Sequence, residues 1–209
     1  MLFKDEREDN MLNDMENTSQ SQKILKAAFH CISVKGYANV SMRDVANESG
    51  VVLSQLYYYY KNKEGLFAEV IKTLVEKYLY EIEEELKKGC NSKDKVCNLI
   101  NYFKKILTEQ PEPFKLLFEV TNMALWSSPF KELLQNMYTG MSGLIDKHIL
   151  SNNYDEKSTE GLSKVILGTF IGTAIQVLIS PEDDSKNSLD EIQNIFEWKN
   201  LYDGRLLES

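Results

Sequence analysis

Residues 41–63 read SMRDVANESGVVLSQLYYYYKNK, and this stretch decides the fold class. SMRD at its start is a capping-box pattern, which predicts a short helix over residues 41–49. Gly50 then breaks this helix, and the following residues predict a second short helix that runs to Tyr60. Two short helices joined by a tight turn are typical of a helix-turn-helix.

The rest of the chain also has helical periodicity. Apolar residues recur three and four positions apart, and alternating, strand-like runs are missing. Gly36 marks the end of the first helix as a left-handed capping residue, whereas Asn62, Ser92 and Ser128-Pro129 mark the starts of later helices. We therefore predict an all-α protein of nine helices in two domains, with three short helices at the front and six longer ones behind.

The composition is that of an ordinary globular protein. The chain has 209 residues, of which 43% are apolar and 27% charged, with four prolines and ten glycines. These values exclude fibrous and largely disordered classes. The acidic N-terminus lacks the basic and apolar regions of a signal peptide. The longest apolar run, Val165 to Ile179, is shorter than the roughly 20 residues that a membrane helix needs. It predicts a buried core helix, no membrane partner and a cytoplasmic location.

The three cysteines are Cys31, Cys90 and Cys97, an odd and sparse set that suits a reducing compartment without a disulfide framework. Cys90 and Cys97 are either a redox pair or, as sparse thiols more commonly are, incidental to function. His30 and His148 are far apart and lack metal-ligand spacing, so we predict no metal site and no cofactor.

Charge is distributed unevenly along the chain. The formal net charge of -8 argues by itself against a generic nucleic-acid binder. However, residues 21–72 carry 7 basic and 4 acidic groups, whereas residues 73–209 carry 15 and 22. The acidity therefore restricts where DNA can touch the protein and does not exclude DNA. We divide the chain into an acidic arm without fixed structure (1–18), a helix-turn-helix domain (19–65) and a helical domain (66–209).

The second short helix carries a run of four tyrosines. Leu56 and Tyr60 are four residues apart and can face the core, which leaves the other side chains for solvent or a partner. Phenols and a glutamine amide can contact phosphate oxygens and base edges, and lysines suit phosphates. Packing is the competing interpretation, but the tyrosines cannot all face inward. The predicted DNA-contacting residues here are Ser54, Gln55, Tyr57, Tyr58, Tyr59, Lys61 and Lys63.

Residues 20–70 resemble the DNA-binding domain of the tetracycline-repressor (TetR) family of bacterial regulators. The resemblance rests on KILKAAFHCISVKGYANVSMRDVANESGV, residues 23–51, and on LYYYYKNKEGLF, residues 56–67. The chain length and the helical pattern also fit. The resemblance implies a homodimer that binds a palindromic operator in double-stranded DNA, usually as a repressor. It also implies that a small apolar or amphipathic effector enters the C-terminal domain and releases the DNA.

The resemblance implies roles for single residues as well. Arg43 matches a position of the second helix that reaches base edges, and Ser41 matches its phosphate-contacting cap. Lys63 matches the lysine that binds phosphate at the start of the fourth helix. The positions that match contacts of the recognition helix are Gln55, Tyr57 and Tyr59.

This chain departs from the family pattern at several positions of the recognition helix. Val52 stands where a small hydroxyl residue is usual and cannot cap the helix through its side chain. Leu53 stands where the family often has a basic residue, and its side chain can instead touch a thymine methyl. Ser54, Tyr59 and Tyr60 replace the glycine, histidine and phenylalanine that are common there. These departures concern the operator sequence and not the binding mode.

Residues 73–209 show no catalytic constellation, glycine-rich phosphate loop or GxSxG motif, so we do not predict an enzyme. Their middle helices are rich in methionines and aromatic residues, which adapt to irregular apolar ligands. A plain apolar core has the same composition, and the resemblance implies a pocket among these helices. The candidate effector-binding residues are Phe103, Phe114, Phe118, Met123, Trp126, Met137, Tyr138 and Met141.

Three glycines share one face of the predicted helix 160–179. A glycine inside a helix costs about 1 kcal/mol relative to alanine, so such a stripe indicates close approach of another helix. In the TetR family, the last two helices pack against those of the partner chain. The predicted dimer-interface residues are Gly161, Gly168, Gly172, Ile192, Ile195 and Phe196.

The alternative to a ligand-responsive regulator is a helical ligand-binding or scaffold dimer that has lost operator binding. Val52 and Leu53 leave this alternative open. Salt dependence discriminates between the two, because phosphate contacts make affinity fall steeply as salt rises.

Overall fold

The computed structural model describes residues 20–150, 156–180 and 191, and within them the chain is helical with no strand. The prediction of an all-α protein is confirmed. Eight of the nine predicted helices lie in these residues, whereas the predicted arm and, apart from Glu191, the ninth helix lie outside them. The helices are α1 (Gln20–Lys35), α2 (Met42–Ser49), α3 (Leu53–Tyr59), α4 (Lys63–Lys87), α5 (Ser92–Glu109), α6 (Glu112–Ala124), α7 (Ser128–Ile145) and α8 (Glu156–Ile179).

The chain forms two compact units, and the division between Thr73 and Leu74 lies within α4. The predicted boundary between residues 65 and 66 lies earlier in the same helix. In the first unit, the apolar stripe of α1 is buried as its spacing predicts. The core of the first unit includes Ile24, Ala27, Ala28, Cys31, Ile32, Val45, Ala46, Leu56, Leu66, Phe67, Val70 and Ile71.

The second unit has its own apolar core, built from α4 to α8. Phe103 of α5 stacks on Phe170 of α8 with 4.7 Å between ring centroids, and the Phe114 centroid lies 6.1 Å from that of Phe103. The other buried members are Ile82, Leu86, Val96, Leu99, Ile100, Leu107, Ile145, Ile149, Leu150, Ile166, Leu167, Ala174 and Val177.

Side-chain caps start α2, α4 and α5, and one of the predicted caps is corrected. Asn62 Oδ1 accepts a hydrogen bond from the Gly65 amide at 2.8 Å, which confirms the predicted cap of α4. The predicted Ser92 cap of α5 is wrong. Asn91 precedes the helix with an extended backbone and accepts from the Asp94 amide at 2.9 Å. Ser92 already lies in the helix, and its hydroxyl donates to the carbonyl of Ile149 at 3.0 Å.

The prediction that Val165 to Ile179 is a buried core helix is correct for one face only. Ile166, Phe170, Ala174 and Val177 are buried, whereas Val165 and Ile179 are 65% and 75% exposed. By length and composition alone, Gly161–Ile179 could cross a membrane, a criterion that core helices of soluble proteins also meet. The open face of α8 carries the exposed apolar side chains of Val165, Ile175 and Ile179.

Candidate functional site

Gly50 forms the turn of the helix-turn-helix. Its backbone is left-handed, with φ 70° and ψ 22°, a region that residues with side chains rarely adopt. The Val51 amide donates to the Ala46 carbonyl at 3.0 Å, and the Val51 side chain is buried. These contacts connect the end of α2 to the start of α3, so the predicted helix-turn-helix is confirmed.

Ser41 caps α2 within a small polar network. Its hydroxyl accepts from the Asp44 amide at 3.2 Å, and the Asp44 carboxylate accepts from the Ser41 amide at 2.8 Å. Lys35 at the end of α1 donates to the same carboxylate at 2.7 Å. The Lys35 hydrogen bond and those from Ser41 hold the pKa of Asp44 well below its usual range. Arg43 is exposed within this first turn, so the network anchors the backbone that carries it.

Helix α3, the second helix of the helix-turn-helix, begins without a side-chain cap. Val52 is the N-cap residue, makes no side-chain hydrogen bond to the helix and is 66% exposed. The amides of Gln55 and Leu56 both donate to its carbonyl, at 2.9 and 3.2 Å. Ser54 is exposed and Gln55 half-buried. The first turn of this helix is therefore stabilised by backbone hydrogen bonds without a side-chain cap.

Three of the four consecutive tyrosines face solvent. Tyr57, Tyr58 and Tyr59 are 48%, 86% and 42% exposed, whereas Leu56 is fully buried. The Tyr58 and Tyr59 rings meet edge to face with 5.6 Å between centroids. Tyr60 is half-buried, and its hydroxyl lies 2.9 Å from Ser21 Oγ of α1. Packing therefore accounts for Tyr60, and the other three phenols form an aromatic outer face of α3.

The two lysines that follow α3 differ in their surroundings. Lys61 is exposed, whereas Lys63 is half-buried at the start of α4. Lys63 Nζ lies 4.2 Å from the centroid of the Tyr37 ring and 3.4 Å from the carbonyl oxygen of Ala38. The sequence analysis missed Tyr37. The signal that could have found it is the Lys-Gly-Tyr sequence at the end of α1, where Gly36 has a positive φ of 74°.

The eight candidate effector-binding residues do not form one cluster. Phe103 and Phe114 are buried in the core of the second unit. Phe118, Tyr138 and Met141 are half-buried against that core. Met123 and Met137 are half-buried, and Trp126, which follows α6, is 87% exposed.

A cavity of about 640 Å³ lies between α7 and α8, and Tyr138 is one of its lining residues. Its wall is amphipathic, because Leu167 and Ile171 face the same space as Asp146 and Lys164. Asp146 Oδ1 is buried and has no hydrogen-bond partner within the described chain. Buried polar atoms are nearly always hydrogen-bonded, so this oxygen is an exception within the described chain. The other lining residues are Thr139, Ser142, Gly143 and Gly168.

The predicted glycine stripe lies on the open face of α8. A Cβ atom added to Gly161, Gly168 or Gly172 would meet no atom of the described chain within 4 Å. These glycines are therefore not needed for packing inside the described protomer. The other predicted interface residues, at positions 192, 195 and 196, lie outside the described residues.

Cys90 is exposed and Cys97 half-buried, and both are unbridged. In the described part of the chain, no group of three or more His, Cys, Asp or Glu side chains is close enough to hold a metal ion.

Comparison with known proteins identifies the helix-turn-helix. A family model described as "Bacterial regulatory proteins, tetR family" matches residues 24–70. The chain is similar to the fatty acid metabolism regulator protein of Bacillus subtilis (strain 168), with 24% identity over 179 residues that cover 82% of this chain and 89% of that protein.

Solved structures share the fold at low sequence identity. One is the transcriptional regulator FadR from Bacillus subtilis in complex with stearoyl-CoA, with a TM-score of 0.64 and 21% identity over 83% of this chain and 96% of that one. Another is a TetR transcriptional regulator from Legionella pneumophila, with a TM-score of 0.72 and 16% identity over 87% of this chain and 97% of that one.

Proposed function

We propose that this chain, a helix-turn-helix transcriptional regulator of the tetR family, binds a palindromic operator as a homodimer and represses transcription in the cytoplasm. A small amphipathic effector binds the second unit and releases the DNA. The observation that carries the proposal is the outer face of α3, where three phenols are exposed on a helix anchored through Gly50 to α2.

The outer face of α3 has the chemistry that DNA requires. Phenol hydroxyls donate hydrogen bonds to phosphates and to base edges. The guanidinium of Arg43 can donate two hydrogen bonds to the edge of one guanine. Lys61 and Lys63 lie at the end of α3 and the start of α4, where a helix N-terminus favours anions. The basic character of residues 21–72 concentrates attraction for DNA on this unit, because the rest of the chain is acidic.

The open face of α8 supports the homodimer. It carries three glycines and the exposed side chains of Val165, Ile175 and Ile179, and the glycines have room for a closely approaching helix. A two-fold dimer presents two recognition helices to two half-sites, which multiplies affinity and matches a palindromic operator.

The cavity between α7 and α8 supports an amphipathic effector. Its wall combines leucine and isoleucine with a lysine, an aspartate and hydroxyl groups. The comparisons point to the same class, since one relative is a fatty acid metabolism regulator and one similar structure was solved with stearoyl-CoA. We propose a long-chain acyl thioester as the effector. Gly168 belongs to both the cavity and the glycine stripe, so a ligand there contacts the surface assigned to the dimer.

Operator binding is tested by fluorescence anisotropy on duplexes from the region upstream of the gene. We expect tight binding that weakens steeply with salt. Arg43→Ala and Tyr57→Ala should each weaken it about 5- to 150-fold, because losing a base contact costs about 1–3 kcal/mol.

Matched controls separate specific contacts from general effects. Lys88→Ala removes one positive charge after α4, and Tyr80→Ala removes a phenol that is 65% exposed on α4. Both should bind DNA as the parent does. If the parent protein shows no salt-dependent binding to any fragment, the scaffold alternative replaces this proposal.

A further inference from the structure

The ammonium of Lys63 is held in place by an aromatic ring. Nζ lies 4.2 Å from the centroid of the Tyr37 ring and 5.8 Å from that of Phe67. Both distances fall within the roughly 6 Å over which the negative face of a ring attracts a cation. Nζ also donates to the Ala38 carbonyl at 3.4 Å, so it contacts the Tyr37–Asn39 turn twice.

The Tyr37 ring is itself fixed by the fold. It meets the ring of Phe67 edge to face, with 4.3 Å between centroids and 80° between the planes. Phe67 is 1% exposed, so it provides a rigid support. The positive φ of Gly36 turns the chain at the end of α1, directly before Tyr37.

The phenol of Tyr37 remains neutral. Burial raises its pKa, and the nearby Glu64 raises it further. A neutral ring presents an electron-rich face that attracts the ammonium.

We propose that Tyr37 is a positioning residue, which holds the Lys63 ammonium at the N-terminus of α4 so that a DNA phosphate binds an ordered side chain. This role rests on the operator binding proposed above. A lysine side chain loses rotamer freedom when a ligand fixes it, and a contact that restricts it beforehand reduces this loss on binding. The helix N-terminus adds its own attraction for the phosphate at the same place. Tyr37 acts through Lys63 and does not need to touch DNA.

A purely structural role for Tyr37 is the competing explanation. Its edge-to-face contact with Phe67 would stabilise the first unit whether or not a lysine lay on its face. The two explanations differ in their dependence on charge. Positioning requires Lys63, whereas packing does not.

A double-mutant cycle on the full-length protein separates them. Tyr37→Leu removes the ring face, and Lys63→Met removes the charge; operator affinity is measured by anisotropy over a range of salt. Lys63→Met should weaken binding and reduce the slope of log K against log salt by about 0.9, because one phosphate contact is lost. Tyr37→Leu should weaken binding about two- to tenfold alone and have no further effect in Lys63→Met. Equal effects of Tyr37→Leu in both backgrounds would overturn the proposal.

Ring substitution keeps the test decisive if Tyr37→Leu fails to fold. Tyr37→Phe retains the electron-rich face and should bind DNA nearly as the parent does. Pentafluorophenylalanine at position 37 has a similar shape but a reversed ring charge distribution, so it should weaken binding as leucine does. Equal affinity of these two variants contradicts positioning. Absence of salt-dependent DNA binding by the parent overturns the proposed function together with this inference, whereas an additive cycle on a DNA-binding parent overturns this inference alone.

Discussion

Lys35 at the end of α1 and Asp44 in the first turn of α2 form an ion pair, with 2.7 Å between Nζ and Oδ1. Asp44 also closes the capping box of α2 with Ser41. One carboxylate therefore serves both as a helix cap and as a link between two helices. Because Arg43 is the neighbouring residue, this arrangement connects the stability of the first unit to the presentation of a predicted DNA contact.

We expect Asp44→Asn to remove part of the acid sensitivity of folding. The hydrogen bonds from Lys35 and Ser41 lower the pKa of Asp44 in the folded protein. A carboxyl with a lowered pKa stabilises the folded state above its unfolded pKa of about 3.9, and this stabilisation is lost as the pH falls towards the lowered value. Urea unfolding at about pH 7 and about pH 3 measures the effect. The parent should lose more stability between these two pH values than the variant.

Glu132→Gln is the control for this experiment, because Glu132 is an exposed carboxylate on α7. It should leave the acid sensitivity of the parent unchanged. If Asp44→Asn loses as much stability on acidification as the parent does, the ion pair has no part in acid unfolding.

Removing a tyrosine hydroxyl should have different consequences at Tyr58 of α3 and at Tyr60, which follows that helix. Tyr60→Phe breaks the hydrogen bond to Ser21, so it should lower the free energy of unfolding by about 0.5–1.5 kcal/mol and leave operator affinity unchanged. Tyr58→Phe changes an 86% exposed side chain, so it should leave stability unchanged and weaken operator binding about fivefold. Urea unfolding and anisotropy are measured on both variants. A stability loss in Tyr58→Phe, or weaker DNA binding in Tyr60→Phe, would reverse the assigned roles.

A large side chain at Gly168 should weaken the dimer without unfolding the protomer. A Cβ atom there meets open space within the described chain, but a leucine would keep a partner helix from approaching. Overpacking of a contact costs about 1–3 kcal/mol, so sedimentation should show the dimer dissociation constant of Gly168→Leu raised about tenfold or more. Gly143→Leu on α7 is the control, since its Cβ also meets open space but the residue lies outside the stripe. Equal dimer strength in the two variants contradicts the assignment.

Stearoyl-CoA should stabilise the protein and release operator DNA. A ligand at 100 times its dissociation constant adds about 2.7 kcal/mol to the free energy of unfolding, which a thermal shift detects. Ser142→Trp places an indole in the cavity between α7 and α8 and should abolish both effects. Thr108→Trp, at an exposed position of α5, should respond as the parent does. If Ser142→Trp still releases DNA on addition of stearoyl-CoA, the effector binds elsewhere.

Local sequence patterns were sufficient to predict the helix-turn-helix and the outer face of α3. The capping box of Ser41 and Asp44 depends on residues three apart, and the left-handed turn at Gly50 depends on one residue. The burial of Leu56 and the exposure of Tyr58 follow from helical spacing over a few residues. The interactions at these positions join residues that are close together in the chain, so the local sequence is enough to predict them.

The contacts between residues far apart in sequence were decided by the tertiary structure. Sequence did not indicate that Tyr37 would lie against Lys63, that Tyr60 would bond to Ser21, or that Asn91 and not Ser92 would cap α5. Nor did the apolar composition of α8 distinguish its buried face from its open one. Periodicity specifies which residues share a helix face, but only packing specifies what that face meets. Contacts such as these depend on how helices far apart in sequence pack together, and no local pattern contains that information.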